Sequence, residues 1–260
     1  MGLFSLIILF SLLGGVLSVI AAASFLLLSD KTRARVLPHF VSFAIGALLG
    51  AAFLALLPHA IGASGVNDPH RITQTVLIGL LAFFLLEKMV LWRHCHSGVC
   101  DAHEGETHQH EAPGILILIG DAMHNLVDGV LIAAAFLTDV QLGIVTALAV
   151  AAHEIPQEVG DFAILLHSGF SRARALLFNV LASLTTVVGA VFAYYALGET
   201  GQVVPYVLAV AAASFIYIAV ADLIPGLHRR VNFGATVAQF GWIAAGEGDG
   251  KRVPQARHAQ

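Results

Sequence analysis

The sequence is poor in charged side chains and in cysteine. Charged residues make up 12% of its 260 residues, about half the share of an ordinary soluble domain, where the figure is about 25%. This scarcity argues against a soluble enzyme. A net charge of −4, without clustered Lys and Arg, argues against a nucleic-acid partner. Two cysteines are too few for a disulfide framework.

Long apolar runs fill most of the chain, and 58% of its residues are hydrophobic. A membrane-spanning helix needs about 20 mostly apolar residues, because backbone polar groups find no water in hydrocarbon. Seven segments meet this need, and an eighth is short and rich in glycine. The segments cover residues 2–28, 37–61, 73–92, 114–137, 140–167, 173–197, 203–225 and 231–246. We therefore predict an all-α membrane protein with eight transmembrane helices.

Basic residues alternate between the loops that join these segments. Lys and Arg accumulate in cytoplasmic loops, and here they follow the first, third, fifth and seventh segments. This pattern predicts that both termini lie outside the cytoplasm. We interpret residues 1–260 as a single transmembrane domain, with residues 93–113 as a cytoplasmic loop within it.

That loop is rich in histidine and contains both cysteines. Its members are His94, Cys95, His96, Cys100, His103, His108 and His110. Imidazole and thiolate together suit zinc and neighbouring transition metals. A solvated linker without an ordered site explains the composition equally well.

Ionisable side chains are concentrated in the fourth and fifth segments. At membrane depth such side chains are costly, and they generally face the bundle interior or an aqueous cavity. Those of the fourth segment recur at i, i+3, i+4 and i+7, so they share one helix face. Those of the fifth surround Pro156, which removes a backbone donor. The residues are Asp121, His124, Asn125 and Asp128, then His153, Glu154, Gln157, Glu158 and Asp161.

This set of side chains favours a divalent-metal site of mixed nitrogen and oxygen ligands. The alternative is a network of interhelical hydrogen bonds, the frequent role of a lone Asn or Gln in a membrane helix. Burying several carboxylates without a cation would be expensive. The metal site is therefore the preferred interpretation.

At these residues the sequence resembles the ZIP (Zrt/Irt-like) family of metal-ion transporters. The family motif HNxxDG is matched at residues 124–129, and HExPxE at residues 153–158. Further similarity lies in the run GALLGAAFLALLPHA at 46–60, in FFLLEK at 83–88 and in SFIYIAVADLIP at 214–225. The resemblance implies a ZIP-type bundle with the metal site between helices 4 and 5, usually within a homodimer.

The resemblance also implies roles for individual residues. The primary site would comprise His124, Asp128, His153 and residue 157, and Asn125, Glu154 and Glu158 would lie in or beside an adjoining second site. Many family members have His at position 157 and another branch has Glu, whereas this chain has Gln157. A neutral amide is a weaker zinc ligand than imidazole, so Gln157 favours broader acceptance of iron, manganese or cadmium. His59 is either an entrance ligand or a solvated interfacial histidine.

The sequence thus predicts an uptake transporter for divalent transition metals, zinc first, in a bacterial inner membrane and without a prosthetic group. It contains no G-x-x-x-x-G-K motif, so transport is expected to be passive or ion-coupled.

One alternative is a membrane metal sensor that signals through the His-rich loop. An intramembrane metalloprotease would need H-E-x-x-H, but the chain has Gln157 at the second histidine. A diiron bundle would need paired Glu-x-x-His motifs, which are absent from the fourth and fifth segments.

Overall fold

The computed structural model describes residues 2–63, 65–94, 111–198, 201–228 and 233–247, and these residues are helical with no β-strand among them. The α-helices are α1 (Leu3–Gly14), α2 (Val16–Phe25), α3 (Asp30–Gly50), α4 (Leu57–Gly62), α5 (Pro69–His94), α6 (Glu111–Thr138), α7 (Val140–His167), α8 (Arg172–Ser183), α9 (Thr185–Gly198), α10 (Val204–Tyr217), α11 (Ile224–Leu227) and α12 (Phe233–Gly246). Most of the predicted His-rich loop, with Cys95 and Cys100, lies outside the described residues.

Among the described residues, six helical stretches are long and apolar enough to cross a membrane. They are Leu3–Phe25, Asp30–Gly62, Pro69–Met89, Ile117–Thr138, Arg172–Gly198 and Val204–Leu227. Helix α7 has 28 residues, but its ionisable side chains make it less apolar than these six. Helix α12 has 14 residues and is therefore about 21 Å long at 1.5 Å per residue. The prediction of eight spanning helices stays a prediction for these two.

Two of the predicted segments are each divided into two helices. The first segment breaks at Gly15, whose backbone has φ −87° and ψ −90°. A Cβ at Gly15 would lie 2.6 Å from the carbonyl oxygen of Ser183, so only glycine permits this approach. The sixth segment breaks at Leu184, between α8 and α9, where the Thr185 hydroxyl is 2.6 Å from the carbonyl oxygen of Ala182. The two breaks therefore lie beside each other in the bundle.

Two further predicted segments contain a π-helical stretch. Residues Ala51–Leu56 lie between α3 and α4, and residues Ile218–Leu223 lie between α10 and α11. Such stretches are rare and are frequently found at functional sites. The first stretch packs against α3 and α7, and the second packs against α3. Both stretches therefore lie next to the centre of the bundle.

Helices α6 and α7 form a tight hairpin at their connection. Asp139 caps α7, since its side-chain oxygen accepts hydrogen bonds from the N–H groups of Gln141 and Leu142 at 2.8 and 3.0 Å. A Cβ at Gly143 would lie 2.2 Å from the ring of Phe136, so glycine lets that ring lie against α7. The hairpin holds α6 and α7 side by side, so the polar residues on the two helices lie close to one another.

Close contacts join the helices into two packed sets. The first set is α6, α7 and α9, and the second is α3, α5, α10 and α12. Helix α6 lies against α9, where a Cβ at Gly129 would be 1.9 Å from the carbonyl oxygen of Thr186. Helix α3 lies against α12, where a Cβ at Gly46 would be 1.9 Å from that of Ile243. Small residues permit such approaches between membrane helices. Helix α10 packs on α5, and the hydroxyl of Tyr217 donates to the carboxylate of Glu87.

Candidate metal centre

Four ionisable side chains from α6 and α7 converge at one point in the bundle. We call His124, Asp128, His153 and Glu154 the mixed group, because each offers one ligand atom close to the other three. Asp128 lies one helical turn after His124, and Glu154 directly follows His153. The spacing on α6 and the adjacent pair on α7 thus bring two imidazoles and two carboxylates together.

The distances within the mixed group match a tetrahedral coordination shell. The two Nε2 atoms of the histidines are 3.1 Å apart. Nε2 of His124 is 3.6 Å from Asp128 Oδ2 and 3.3 Å from Glu154 Oε1. Nε2 of His153 is 3.3 and 3.6 Å from the same two oxygens. Zinc ligands at about 2.0–2.1 Å in tetrahedral geometry lie about 3.3 Å from one another. The four atoms therefore surround a space of the size that one such ion needs.

The imidazole of His153 is oriented by the backbone of its own helix. Its Nδ1 lies 3.1 Å from the carbonyl oxygen of Ala149. A carbonyl only accepts, so the proton of a neutral imidazole lies on Nδ1 and the lone pair of Nε2 faces the mixed group. A hydrogen bond of this kind is typical of histidines that ligate metals.

The carboxylates of the mixed group lack other hydrogen-bond partners. Both side-chain oxygens of Asp128 and of Glu154 are buried and have no hydrogen-bond partner among the described residues. Buried charges without partners are costly, and a divalent cation at the centre of the group would compensate both. The side chain of His124 is 24% exposed, whereas those of the other three members are 0 or 1% exposed. Solvent therefore reaches the mixed group from the His124 side.

Three carboxylates form a second group next to the first. Asp121, Glu154 and Glu158, which we call the acidic group, also offer ligand atoms close to one another. All three are buried, and both side-chain oxygens of Glu158 have no hydrogen-bond partner among the described residues. Glu154 belongs to both groups. The resemblance placed Glu154 in or beside the second site only, whereas in the structure its carboxylate joins the two groups.

Asn125 is engaged with protein groups in this arrangement. Its Nδ2 donates to Asp121 Oδ1 at 2.8 Å and lies 3.2 Å from the Asp121 carbonyl oxygen. Its Oδ1 accepts from the hydroxyl of Thr186 at 2.7 Å. Thr186 is fully buried and lies on α9. Sequence analysis missed it; its signal was a pair of adjacent threonines within a predicted membrane segment.

Like Asn125, three further residues of the predicted site lie outside both groups. Gln157 and Asp161 are half-buried on α7, one and two turns after His153. His59 lies on α4, and its Nδ1 is 2.8 Å from the carbonyl oxygen of Ala55. Helix α7 continues through Pro156 without interruption. The ring of Phe215 on α10 completes the surroundings, 6.2 Å from the ring of His153.

The described residues form an all-helical bundle with six apolar helices long enough to span a membrane, which defines an integral membrane protein, and its candidate metal ligands are buried within that bundle. A family model described as "ZIP Zinc transporter" matches residues 92–248, which is more than half of the chain. The chain is 34% identical over 232 residues to zinc transporter ZIP13 of Pongo abelii, covering 85% of this chain and 67% of that protein. It is 31% identical over 285 residues to zinc transporter ZIP4 of Homo sapiens, covering 85% of this chain and 44% of that protein.

The chain therefore belongs to the ZIP family of zinc transporters, a family of transporters and not of enzymes. It spans about two thirds of the length of the ape ZIP13 and less than half that of human ZIP4. A third relative, zinc transporter zipt-7.1 of Caenorhabditis briggsae, is 30% identical over 261 residues, which are 76% of this chain and 65% of that protein.

Proposed function

We propose that this chain carries divalent transition-metal ions, zinc foremost, across a membrane, with the mixed group as the central binding site. The observation that carries the proposal is the set of five ligand-to-ligand distances of 3.1–3.6 Å within the mixed group. Imidazole nitrogen and carboxylate oxygen are both common ligands of zinc. The relatives named above are called zinc transporters, which supports zinc as the substrate.

The composition of the mixed group suits transport better than permanent binding. Conduction requires binding that is favourable enough to admit the ion and weak enough to release it. Two imidazoles and two carboxylates hold zinc less firmly than a cage of thiolates would. The neutral Gln157, one turn after His153, favours acceptance of iron, manganese and cadmium as further substrates.

We infer that α7 and α12 cross the membrane together with the six apolar stretches, which makes eight spans with both termini outside the cytoplasm. The 28 residues of α7 exceed the about 20 needed for a span, and His153, Glu154 and Glu158 in its middle are buried in the bundle. The short α12 is packed closely on α3 through Gly46 and Gly246. In this orientation uptake proceeds from outside to the cytoplasm, in a bacterial inner membrane and in a homodimer.

Alternating access by sliding of the two packed sets is the proposed mechanism. All members of the mixed group lie on α6 and α7, and α6 is joined tightly to α9 through Gly129 and Gly189. Helices α3 and α12 form a second tightly joined pair. Phe215 of α10 faces His153 from outside the α6–α7 hairpin. Movement of the α6, α7 and α9 set past α3 and α10 would carry the ion from one side to the other.

The test is metal uptake into proteoliposomes that contain a fluorescent metal indicator. Zinc, cadmium, iron(II) and manganese(II) are added outside in turn. The parent protein is expected to show saturable flux, and His153→Ala is expected to show the flux of empty liposomes because one of four ligands is gone. His167→Ala is the matched control. His167 is an exposed histidine on the same helix, and its Nδ1 is 2.9 Å from the Ala163 carbonyl oxygen.

Two outcomes would contradict the proposal. Equal uptake by His153→Ala and His167→Ala would show that the mixed group is not the pathway. Zinc bound by the parent without flux of any metal would favour the membrane sensor instead.

A further inference from the structure

We propose that Thr186 is a positioning residue for metal binding, acting through Asn125 to hold the carboxylate of Asp121 in the acidic group. The inference rests on the proposed function, since it concerns how one of the two ligand groups is kept in place. Thr186 comes from α9, a helix that contributes no member to either group. Through Thr186, a helix that provides no ligand would therefore influence metal affinity.

Three hydrogen-bonding groups form a chain from α9 to the acidic group. The Thr186 hydroxyl lies 2.7 Å from Asn125 Oδ1, and Asn125 Nδ2 lies 2.8 Å from Asp121 Oδ1. All three residues are buried, with 0% exposure for Thr186 and Asn125 and 4% for Asp121. In such surroundings no water replaces a lost partner, so each bond of the chain affects the next.

The chemistry of the three groups fixes the direction of this chain. The backbone carbonyl of Asp121 and its carboxylate, which must be ionised to bind a cation, only accept hydrogen bonds, so Asn125 must present its NH2 group to Asp121. Its carbonyl oxygen then faces Thr186, and the hydroxyl of Thr186 must donate to it. The opposite amide orientation would place two oxygens 2.8 Å apart without a proton between them. Asp121 thus selects the orientation of the Asn125 amide, and the Thr186 hydroxyl holds that amide in place by donating to its oxygen.

This arrangement leaves one oxygen of Asp121 free for a cation. Oδ1 accepts from Asn125, whereas Oδ2 is buried and has no hydrogen-bond partner among the described residues. A carboxylate held by one oxygen presents the other in a defined direction. Residues that orient ligands in this way change metal affinity about 10- to 100-fold when they are removed.

Glycines on neighbouring helices make room for Thr186 at this position. A Cβ at Gly15 would lie 3.0 Å from Thr186 Oγ1, and one at Gly129 would lie 1.9 Å from the Thr186 carbonyl oxygen. The break at Gly15 therefore lies beside the Thr186 hydroxyl, and the close α6–α9 contact lies at the Thr186 backbone. Both contacts restrict the position of Thr186 relative to α6.

The preceding residue supplies a matched control. Thr185 has the same side chain on the same helix, and its hydroxyl lies 2.6 Å from the carbonyl oxygens of Ala122 and Ala182. Both of these hydrogen bonds go to helix backbone, and neither goes to a ligand side chain. Substituting either threonine by valine removes one hydroxyl from the α6–α9 contact, but only Thr186→Val removes the partner of Asn125.

The experiment is a manganese(II) titration of the purified full chain, followed by electron paramagnetic resonance of the free ion. Manganese suits all-oxygen sites and is therefore the probe for the acidic group. Thr186→Val is expected to weaken manganese binding about tenfold. Thr186→Ser, which keeps the hydroxyl, and Thr185→Val are expected to bind like the parent. In an Asn125→Ala background, Thr186→Val is expected to have no further effect.

Each result decides the inference. It is overturned if Thr186→Val binds manganese as tightly as Thr185→Val, or if its effect persists in the Asn125→Ala background. A parent that binds zinc but no manganese would overturn it and leave the mixed group intact. A parent that binds neither ion would overturn the proposed function as well. If valine prevents folding beside Gly129, the smaller Thr186→Ala variant is expected to show the same tenfold loss, about the lower end of the effect of an orienting residue.

Discussion

The mixed group and the acidic group lie side by side on α6 and α7 but differ in their donor atoms. The mixed group joins two imidazole nitrogens to two carboxylate oxygens, and the acidic group has three carboxylates and no nitrogen. Nitrogen donors suit zinc, whereas oxygen donors suit manganese and other hard cations. Under the proposed function, one pair of helices would therefore present two ligand sets of unequal preference to the transported ion.

Glu154 connects these two ligand sets. It offers a ligand atom to each, and both of its oxygens lack a hydrogen-bond partner among the described residues. An ion leaving one group would keep Glu154 as a ligand while it acquires the others. A shared ligand would lower the free-energy barrier of such a transfer, because the ion would keep at least one protein oxygen as a ligand throughout.

Among variants that compare the two groups, the largest effect is expected from Glu154→Gln, which removes the shared charge. Zinc uptake into proteoliposomes is expected to fall by more than about a hundredfold, because loss of a ligand shared by both groups exceeds the about 10- to 100-fold effect of losing an outer-shell partner. Glu158→Gln changes the acidic group alone, so it is expected to cause a smaller loss. Equal losses for the two variants would contradict the separation into two groups.

The next effect concerns the close contact of α6 with α9 that supports the acidic group. Gly129→Ala would place a Cβ 1.9 Å from the Thr186 carbonyl oxygen. This crowding is expected to lower the free energy of unfolding by about 1–3 kcal/mol, measured by thermal unfolding in detergent. The matched control is Gly120→Ala on the same helix, where a Cβ meets nothing within 4 Å. A Gly129→Ala protein as stable as Gly120→Ala would show that the contact is not tight.

A smaller effect is expected from Gln157→His, which would add nitrogen near the mixed group. Gln157 lies one turn after His153 on α7 and is half-buried. Imidazole binds zinc better than an amide does, so the ratio of zinc to manganese uptake is expected to rise about tenfold, which corresponds to about 1.4 kcal/mol. Unchanged inhibition of zinc uptake by iron or manganese would contradict the role given to Gln157.

The smallest effect is expected from deletion of residues 95–110 in the His-rich loop. The mixed and acidic groups, which are defined among the described residues, lie on α6 and α7, so zinc uptake is expected to stay at the parent rate. A metal sensor that signals through the loop would lose its response. Loss of uptake with normal membrane insertion would instead place the loop in the transport pathway.

The sequence predicts α7 well because its signals are local. The predicted bounds 140–167 coincide with Val140–His167, since Asp139 caps the start and Gly169, at φ +89°, follows the end. The spacing of Asp121, His124 and Asp128 on one face likewise predicts that they meet the same neighbour. Helical periodicity and the residues at the two helix ends are sufficient to predict these features.

Other features depend on packing between distant segments and were not predictable. The break at Gly15 exists because Ser183 comes within reach, and glycine is common in membrane helices of every kind. The position of Glu154 between the two groups depends on how α7 is rotated against α6. Thr186 was overlooked because a hydroxyl in an apolar segment commonly bonds its own helix backbone, and only the structure brings it to Asn125.

X-ray absorption spectroscopy of the purified protein loaded with one equivalent of zinc tests the central claim most directly. The mixed group predicts two imidazole nitrogens and two carboxylate oxygens at about 2.0–2.2 Å. In His153→Ala, one imidazole is expected to be lost from this shell, while His167→Ala is expected to retain both. A thiolate shell at about 2.3 Å, or a shell of oxygens alone, would contradict the assignment of zinc to the mixed group.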